Sequence, residues 1–363
     1  MHIFRGHSVR SEAASRAAAD GLYVQYDFLC HTIWIRCCDT ENNEESQMFS
    51  NWRSSALYAS LRPYVPNALR RIVAGAKRFY VAQFKVEHVI DFRRFKMRVS
   101  NREHGGLAHE SMYWHELASP LAVEIVKYLE PQLFVDVGAN YGFASLLQHA
   151  NQPSTKIIAI EPNPALVRYV EENLRVAGCH DFQVLHAVCG KHHAAPVSFA
   201  VNGKYSQDSR VVGPASWKRV QVPVVALDEV LLEQWAGRPV FIKIDTQGYE
   251  QHVLDGAYEF LMSSAKWMMK IEFGPHWLES QGTSAEYFLQ NLVDRFNVAE
   301  LPSRIRFRGD ELSALMRHPL ALSDCVDFDA FVRDLATGGD GYCDLLVWPR
   351  SSVLREITQP SPP

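Results

Sequence analysis

The stretch Val135-Asp136-Val137-Gly138-Ala139-Asn140-Tyr141-Gly142-Phe143-Ala144-Ser145 leads from an apolar run through a turn with two glycines into a second apolar run. Glycine supplies the unusual backbone angles of such a turn and leaves room for a ligand, and a helix starting just beyond offers free N–H groups. A dinucleotide fingerprint would read GxGxxG. This turn reads GxNxG, with Asn140 where close approach of a pyrophosphate needs the middle glycine. Glu161 follows 23 residues after Gly138, where an acid can take both hydroxyls of a ribose, and Pro162 and Asn163 shape the turn over an adenine. Asp136, Gly138, Ala139, Asn140, Gly142, Glu161, Pro162 and Asn163 are therefore the candidate residues for an adenosine-containing cofactor. The missing GxGxxG favours S-adenosylmethionine over a nicotinamide dinucleotide.

A second group of reactive residues lies further on, in VFIKID (240–245) and KWMMKIEFG (266–274). Strand alternation puts Phe241, Lys243 and Asp245 on one face of the first, and Met268, Lys270 and Glu272 on one face of the second. If these strands neighbour each other and the strand carrying Asp136, the five charged residues form a band of alternating sign. Buried charge needs a partner, so the band is either a structural ion network or part of a reactive site. Asp245 and Glu272 are the candidate catalytic carboxylates and, with Gln247 or Glu250 nearby, candidate oxygen ligands for Mg2+. His252 and His276, each just past a strand end, are the metal-free candidates for a base.

These residues need a scaffold, and the sequence from about 115 onward supplies its pattern. Short apolar runs alternate with amphipathic stretches, the signature of a parallel sheet wrapped by helices. Strands are expected at 133–138, 156–161, 182–190, 240–245 and 266–274. Helices are expected in LAVEIVKYLE behind Ser119-Pro120, FASLLQHA, PALVRYVEENLRVAG ending at Gly178, and QHVLDGAYEFLMSS. RIRFRG and YCDLLVWPR are expected to close the sheet as an antiparallel pair. The polar stretch 201–220, with Tyr205, Ser206, Asp208, Arg210 and Trp217, is the candidate acceptor wall, because aromatic and hydrogen-bonding groups suit a sugar.

VDVGANYGFAS, IAIEPNP, Leu227-Asp228-Glu229, IKIDTQGYEQHVLDGA and KIEFGP stand in an order and spacing that resemble the FkbM-type methyltransferases, over roughly residues 110–300. The resemblance implies a Rossmann-like class I methyltransferase fold, α/β and doubly wound, with a mostly parallel seven-stranded sheet. It also implies methylation of oxygen, mostly on sugar or polyketide hydroxyls, with S-adenosylmethionine as donor. The family pattern usually has Val-Glu where this chain has Thr246-Gln247, so no role of that acid carries over. Two other readings compete. Nucleic-acid methylation lacks both the [D/N]PP[Y/F/W] pattern and a Pro-Cys nucleophile here, and a non-catalytic cofactor-binding module would dock a partner through the N-terminal extension.

The chain has 363 residues, 47% hydrophobic and 21% charged, with a net charge of −4 that hides an uneven distribution. Residues 61–105 hold eleven Lys/Arg against three Asp/Glu, whereas 106–363 hold 21 against 31. The sign change suggests an N-terminal accessory α/β region at 1–105, basic from 61, a catalytic domain at 106–350 and a tail at 351–363. PNALRRIVAGAKRFYVAQF (66–84) reads as a basic helix, and 62–102 could meet an anionic membrane or a phosphorylated carrier. No apolar run approaches the ~20 residues of a membrane span and the seven cysteines contain no CxxC, so a reduced, cytoplasmic protein is expected.

Overall fold

The computed structural model describes residues 87–100, 121–191, 195–301, 311–336 and 341–350. The chain divides into two compact units, 1–76 and 77–363, and every described residue belongs to the second. The basic helix expected at 66–84, RIRFRG and the tail lie outside the described residues.

The described chain opens with an antiparallel hairpin, β1 (Glu87–Asp91) and β2 (Lys96–Ser100). Ile90, Phe92, Met97 and Val99 of this hairpin share a core cluster with Phe134, Phe143 and Val170, so it packs against the elements that follow it. Part of its positive charge is engaged locally, since Arg98 faces Glu87 at 3.7 Å and Glu172 at 3.6 Å.

Helix α1 (Leu121–Leu129) leads into β3 (Leu133–Val137), α2 (Phe143–Asn151), β4 (Lys156–Ile160), α3 (Pro164–Val176) and β5 (Phe182–Leu185). Asn163 caps α3 by accepting from the Ala165 N–H at 3.1 Å, Pro164 opens the helix, and Gly178 follows its end with φ 81°. The third strand is shorter than the run 182–190 suggests. Its partner β4 stops at Ile160, opposite Leu185, so the chain leaves the sheet and forms β6 (Val188–Cys189).

The polar insertion contains a hairpin, β7 (Val197–Val201) and β8 (Lys218–Val222), before β9 (Val224–Val225), which pairs with β6, and α4 (Leu227–Trp235). Next come β10 (Val240–Ile244), α5 (Glu250–Asp255), α6 (Tyr258–Ser263) and β11 (Trp267–Phe273). The single helix expected over QHVLDGAYEFLMSS is thus two, divided at Gly256, where a Cβ would lie 2.2 Å from the Gly190 carbonyl oxygen. Helices α7 (Pro275–Ser280) and α8 (Ala285–Arg295), β12 (Phe296–Leu301), α9 (Glu311–Met316), α10 (Cys325–Arg333) and β13 (Cys343–Pro349) complete the described elements. The strand expected in YCDLLVWPR is β13, and its antiparallel partner on the outer side is β12.

The sheet order is β12-β13-β11-β10-β3-β4-β5, with β13 antiparallel to both neighbours and the other pairs parallel. All five residues of β3 are buried, as a strand covered on both faces must be. Alternate residues feed two cores. Val135, Val137, Ile242 and Ile244 pack with α4, α6 and α8 on one face, and Phe134, Phe241 and Met268 pack with α1 to α3 on the other. From β3 the chain builds outward to β5, then returns to place β10 on the opposite side. That reversal opens a crevice at the carboxyl ends of β3 and β10, where open α/β sheets bind ligands. Among the described residues no helix is long and apolar enough to cross a membrane.

Candidate active site

A cleft of about 830 Å3 lies at this crevice, lined by Gly138, Ala139 and Asn140 after β3, Glu161 and Pro162 after β4, and Asp245 and Gln247 after β10. Its size falls in the ordinary range for small-molecule sites. The turn after β3 is held open by backbone geometry. Gly138 has φ 75°, and a Cβ there would lie 2.0 Å from the Asp245 carbonyl oxygen. The glycine therefore serves the close approach of two strand ends as much as any ligand. Gly138→Ala should cost about 2–4 kcal/mol of stability and distort the cleft. Thermal denaturation with S-adenosylhomocysteine titration checks this; a variant as stable and as tight-binding as the parent would contradict it.

Asn140, also left-handed at φ 52°, donates its backbone N–H to Glu161 Oε2 at 2.7 Å, and Asn163 donates its own to Glu161 Oε1 at 2.8 Å. Each oxygen keeps a free lone pair, which is what two ribose hydroxyls require. Burial pushes the Glu161 carboxyl up to about 7, opposed by those two N–H groups and by Lys243, with Asp136 pushing the same way as burial. Ser206 Oγ bonds Asn140 Oδ1 at 2.9 Å, and Ser206, Gln207, Asp208 and Ser209 line the cleft. The expected acceptor wall is thus represented by its 3-10 turn, while Tyr205 is exposed and Arg210 lies over the Trp217 ring at 5.4 Å.

Three of the expected cofactor residues act beneath the cleft. Asp136 is fully buried and accepts from Ser145 N at 3.1 Å and Ser145 Oγ at 2.6 Å, tying β3 to the start of α2. Gly142, φ 83°, starts α2 and faces Val170, whose Cγ1 a Cβ would meet at 3.3 Å. Asn163 is the cap of α3.

The band of charge exists, with a different pairing from the simplest one. Lys243, in register with Asp136, lies 3.6 Å from its carboxylate and 3.4 Å from that of Asp245, and donates to the Gly138 carbonyl at 3.0 Å. Lys270 instead pairs with Asp344 of β13 at 2.9 Å. Asp344 was not among the expected residues; a lone acid in the apolar run YCDLLVWPR was its only signal, and placing it needed the register of β13, which sets it opposite Glu272. Desolvation works against ionisation of Asp245, but Lys243, the Gln247 amide and Lys270 outweigh it and hold this carboxyl below its ordinary value. For Glu272, burial and the nearby Asp245, Glu250 and Asp344 push the carboxyl well above its ordinary value, against Lys243. The two carboxyls are thus displaced in opposite directions, Asp245 toward its ionised form and Glu272 toward its protonated form.

Gln247 Nε2 donates to Asp245 Oδ1 at 3.2 Å and to Glu272 Oε2 at 3.1 Å. This donor set does not suit Mg2+. A hydrogen-bond donor stands between the two expected ligands, and among the described residues no three His, Cys, Asp or Glu come together to hold a metal. Glu250 is likewise occupied, accepting from Thr246 N, Thr246 Oγ1 and Gly248 N at 2.8, 2.9 and 3.2 Å.

Neither expected histidine lines the cleft. His252 stacks on Tyr249 with ring centroids 4.1 Å apart, and burial lowers its pKa against the pull of Asp255. His276 is exposed on α7. Two aromatic groups of the cleft, Trp277 and Tyr342, were not expected; their rings lie 5.1 Å apart, and Gly274 makes room for Trp277, whose ring a Cβ would meet at 2.4 Å. The signal for Trp277 was an aromatic just past the end of β11.

The strand order, the single antiparallel strand β13 and a site at the β3/β10 switch point define a class I, Rossmann-like methyltransferase fold. Residues 136–309 match the family model described as the methyltransferase FkbM domain. Among solved structures, the chain is similar to a precorrin-6y C5,15-methyltransferase from Geobacter metallireducens at 12% identity, covering 64% of this chain and 88% of that one with a TM-score of 0.32. It is also similar to a putative O-methyltransferase from Klebsiella pneumoniae at 13% identity, covering 65% and 80% with a TM-score of 0.36. Among curated proteins none matches the chain.

Proposed function

We propose that this methyltransferase uses S-adenosylmethionine to methylate a hydroxyl of a sugar, glycan or related secondary metabolite. The observation that carries the proposal is Asp245, an ionised carboxylate at the end of β10 that faces the same cleft as Gly138 and Glu161. S-adenosylmethionine, when bound, supplies an electrophilic methyl group for an in-line displacement. Glu161 takes the ribose hydroxyls, and the Gly138–Asn140 turn leaves room beside them. Trp277 and Tyr342 offer ring faces to the C–H face of a sugar. Asp245 accepts the hydroxyl proton as that oxygen gains its bond to carbon. An alcohol holds its proton far more tightly than a carboxyl, so this transfer comes late, when the oxygen has already become acidic.

Residues 62–102 remain our proposed contact with an anionic surface or phosphorylated carrier, and the cytoplasm our proposed location. Assay of nucleotide sugars and lipid-linked glycans, with DNA and RNA as controls, tests the acceptor class. Because Gln247 stands between the two carboxylates, EDTA should leave the rate unchanged and added Mg2+ should not raise it; a loss on chelation restored by Mg2+ would overturn the metal-free reading.

A further inference from the structure

Gln247 combines a side-chain bridge with a backbone conformation that a glutamine seldom adopts. Its φ is 58°, in the left-handed region, and it is followed by Gly248 at φ 98°. Non-glycine residues are held there only where the surroundings impose it, and such positions concentrate at functional sites. The conformation brings the side chain back over the end of β10. One amide nitrogen has two hydrogens, and here one goes to Asp245 Oδ1 and the other to Glu272 Oε2. Both partners are carboxyl oxygens, so the nitrogen and not the oxygen of the amide must face them. The bridge is part of the cleft wall, as Asp245, Gln247 and Glu272 all line it.

We propose that Gln247 is a positioning residue for proton transfer, an amide bridge that keeps the charge on Asp245 and the proton on Glu272. Glu272 is only 7% exposed whereas the Asp245 side chain is 40% exposed, so a charge is held more easily on Asp245 and a second one on Glu272 is disfavoured. The amide links the two, and the asymmetry it holds is set by Lys243, 3.4 Å from Asp245, and by the deeper burial of Glu272. The amide N–H stabilises the ionised form of Asp245, and by occupying Glu272 Oε2 it leaves Oε1 for the proton. Most of the other groups around the pair act in the same sense, Lys243 alone also favouring a charge on Glu272. Lys243 on β10 and Lys270 on β11 favour the charge on Asp245, while Glu250 on α5 and Asp344 on β13 disfavour a second charge on Glu272. The consequence is a base and an undissociated acid facing one cleft at neutral pH, without a metal.

The inference rests on reading Asp245 as the base, but its test needs no acceptor. Carboxyl titration by NMR, on protein labelled with 13C at the Asp and Glu carboxyl carbons and assigned with Asp245→Asn and Glu272→Gln, reads both groups directly. In the parent, Asp245 should be ionised and Glu272 protonated at neutral pH. Gln247→Gly removes the amide while relieving the left-handed backbone, so a purely structural role predicts equal or higher thermal stability and no change in titration. The bridge predicts that stability is retained while the Asp245 midpoint rises by about one pH unit or more. Gln247→Ala should give the same shift if the glycine variant folds poorly. Unchanged midpoints in the folded variants, or a parent in which both carboxyls are ionised at neutral pH, would overturn the proposal. Failure to methylate any hydroxyl would count against the functional reading and leave these titrations standing.

Discussion

Asp245→Asn is expected to lower turnover by about 10²–10⁴-fold while leaving the fold and S-adenosylhomocysteine binding in place, the range typical for loss of a positioned base. The asparagine keeps the size of the side chain and can still accept from Gln247, so the β10 turn loses little packing. What it loses is the charge that Lys243 holds in place from 3.4 Å. Lys243 retains Asp136 at 3.6 Å and the Gly138 carbonyl at 3.0 Å, so the lysine is not left without partners in the variant. The measurement is single-turnover methyl transfer beside calorimetric titration with S-adenosylhomocysteine. Full turnover with intact binding would remove Asp245 from the chemistry. Loss of binding and turnover together would mark it as part of the scaffold.

Glu161→Gln should weaken S-adenosylhomocysteine binding by about 100-fold, because two hydrogen bonds from hydroxyls to an anionic acceptor, at about 1.5–3 kcal/mol each, lose their charge and half of their acceptor capacity. Its pH dependence has a definite sign. Burial raises the free carboxyl to about 7, so below that pH it is protonated and one oxygen no longer accepts. Ligand that requires the carboxylate binds more weakly there, and affinity should rise with pH through about 7 and then level off. Protonation also bears on stability. Between the ordinary carboxyl range and about 7 the folded state holds a proton that the unfolded state has lost, so this group's contribution to stability falls as pH rises through that window. Titration calorimetry across this window on parent and variant measures both effects. A flat affinity profile in the parent would show that Glu161 is not the ribose acceptor.

The parallel core of the fold was legible because its strands are buried on both faces and so appear as continuous apolar runs. LFVDV, KIIAI and VFIKI carry that signal without ambiguity, and the turns at Gly138 and after Glu161 punctuate them. The strand carrying YCDLLVWPR was legible for the same reason, but its partner was not. RIRFRG and FNVAEL are both short runs with alternating apolar residues, and only long-range packing decides that Phe296–Leu301 lies beside it. The split of α5 from α6 at Gly256 depends on a backbone contact with Gly190, 66 positions away, which no local pattern encodes.

The site divides in the same way. Glu161, Gly138, Asp245 and Glu272 were found because each closes or follows a strand, and the carboxyl ends of parallel strands share one edge of the sheet. Asp136 and Lys243 were correctly brought together, since neighbouring strands in register require it. The histidines were misplaced because position just beyond a strand end does not fix which side of a helix a residue occupies; His252 turned toward Tyr249 and His276 toward the outside. Gln247 was legible as a departure from a familiar pattern and as a candidate oxygen ligand, not as a donor between the two carboxyls. Its bridge became visible once the left-handed turn after β10 set its amide against Glu272, 25 residues away.

The central claim is that this cleft transfers a methyl group to oxygen. The most direct measurement uses S-adenosylmethionine labelled with 13C in its methyl group, incubated with the protein, EDTA and the panel of nucleotide sugars, lipid-linked glycans, DNA and RNA. The product is then examined by carbon NMR, which separates methyl on oxygen from methyl on nitrogen or carbon. The account predicts an O-methyl signal on a hydroxyl-bearing acceptor, formed by the parent and lost in Asp245→Asn. An N-methyl or C-methyl product, or an O-methyl product formed equally well by Asp245→Asn, would contradict it.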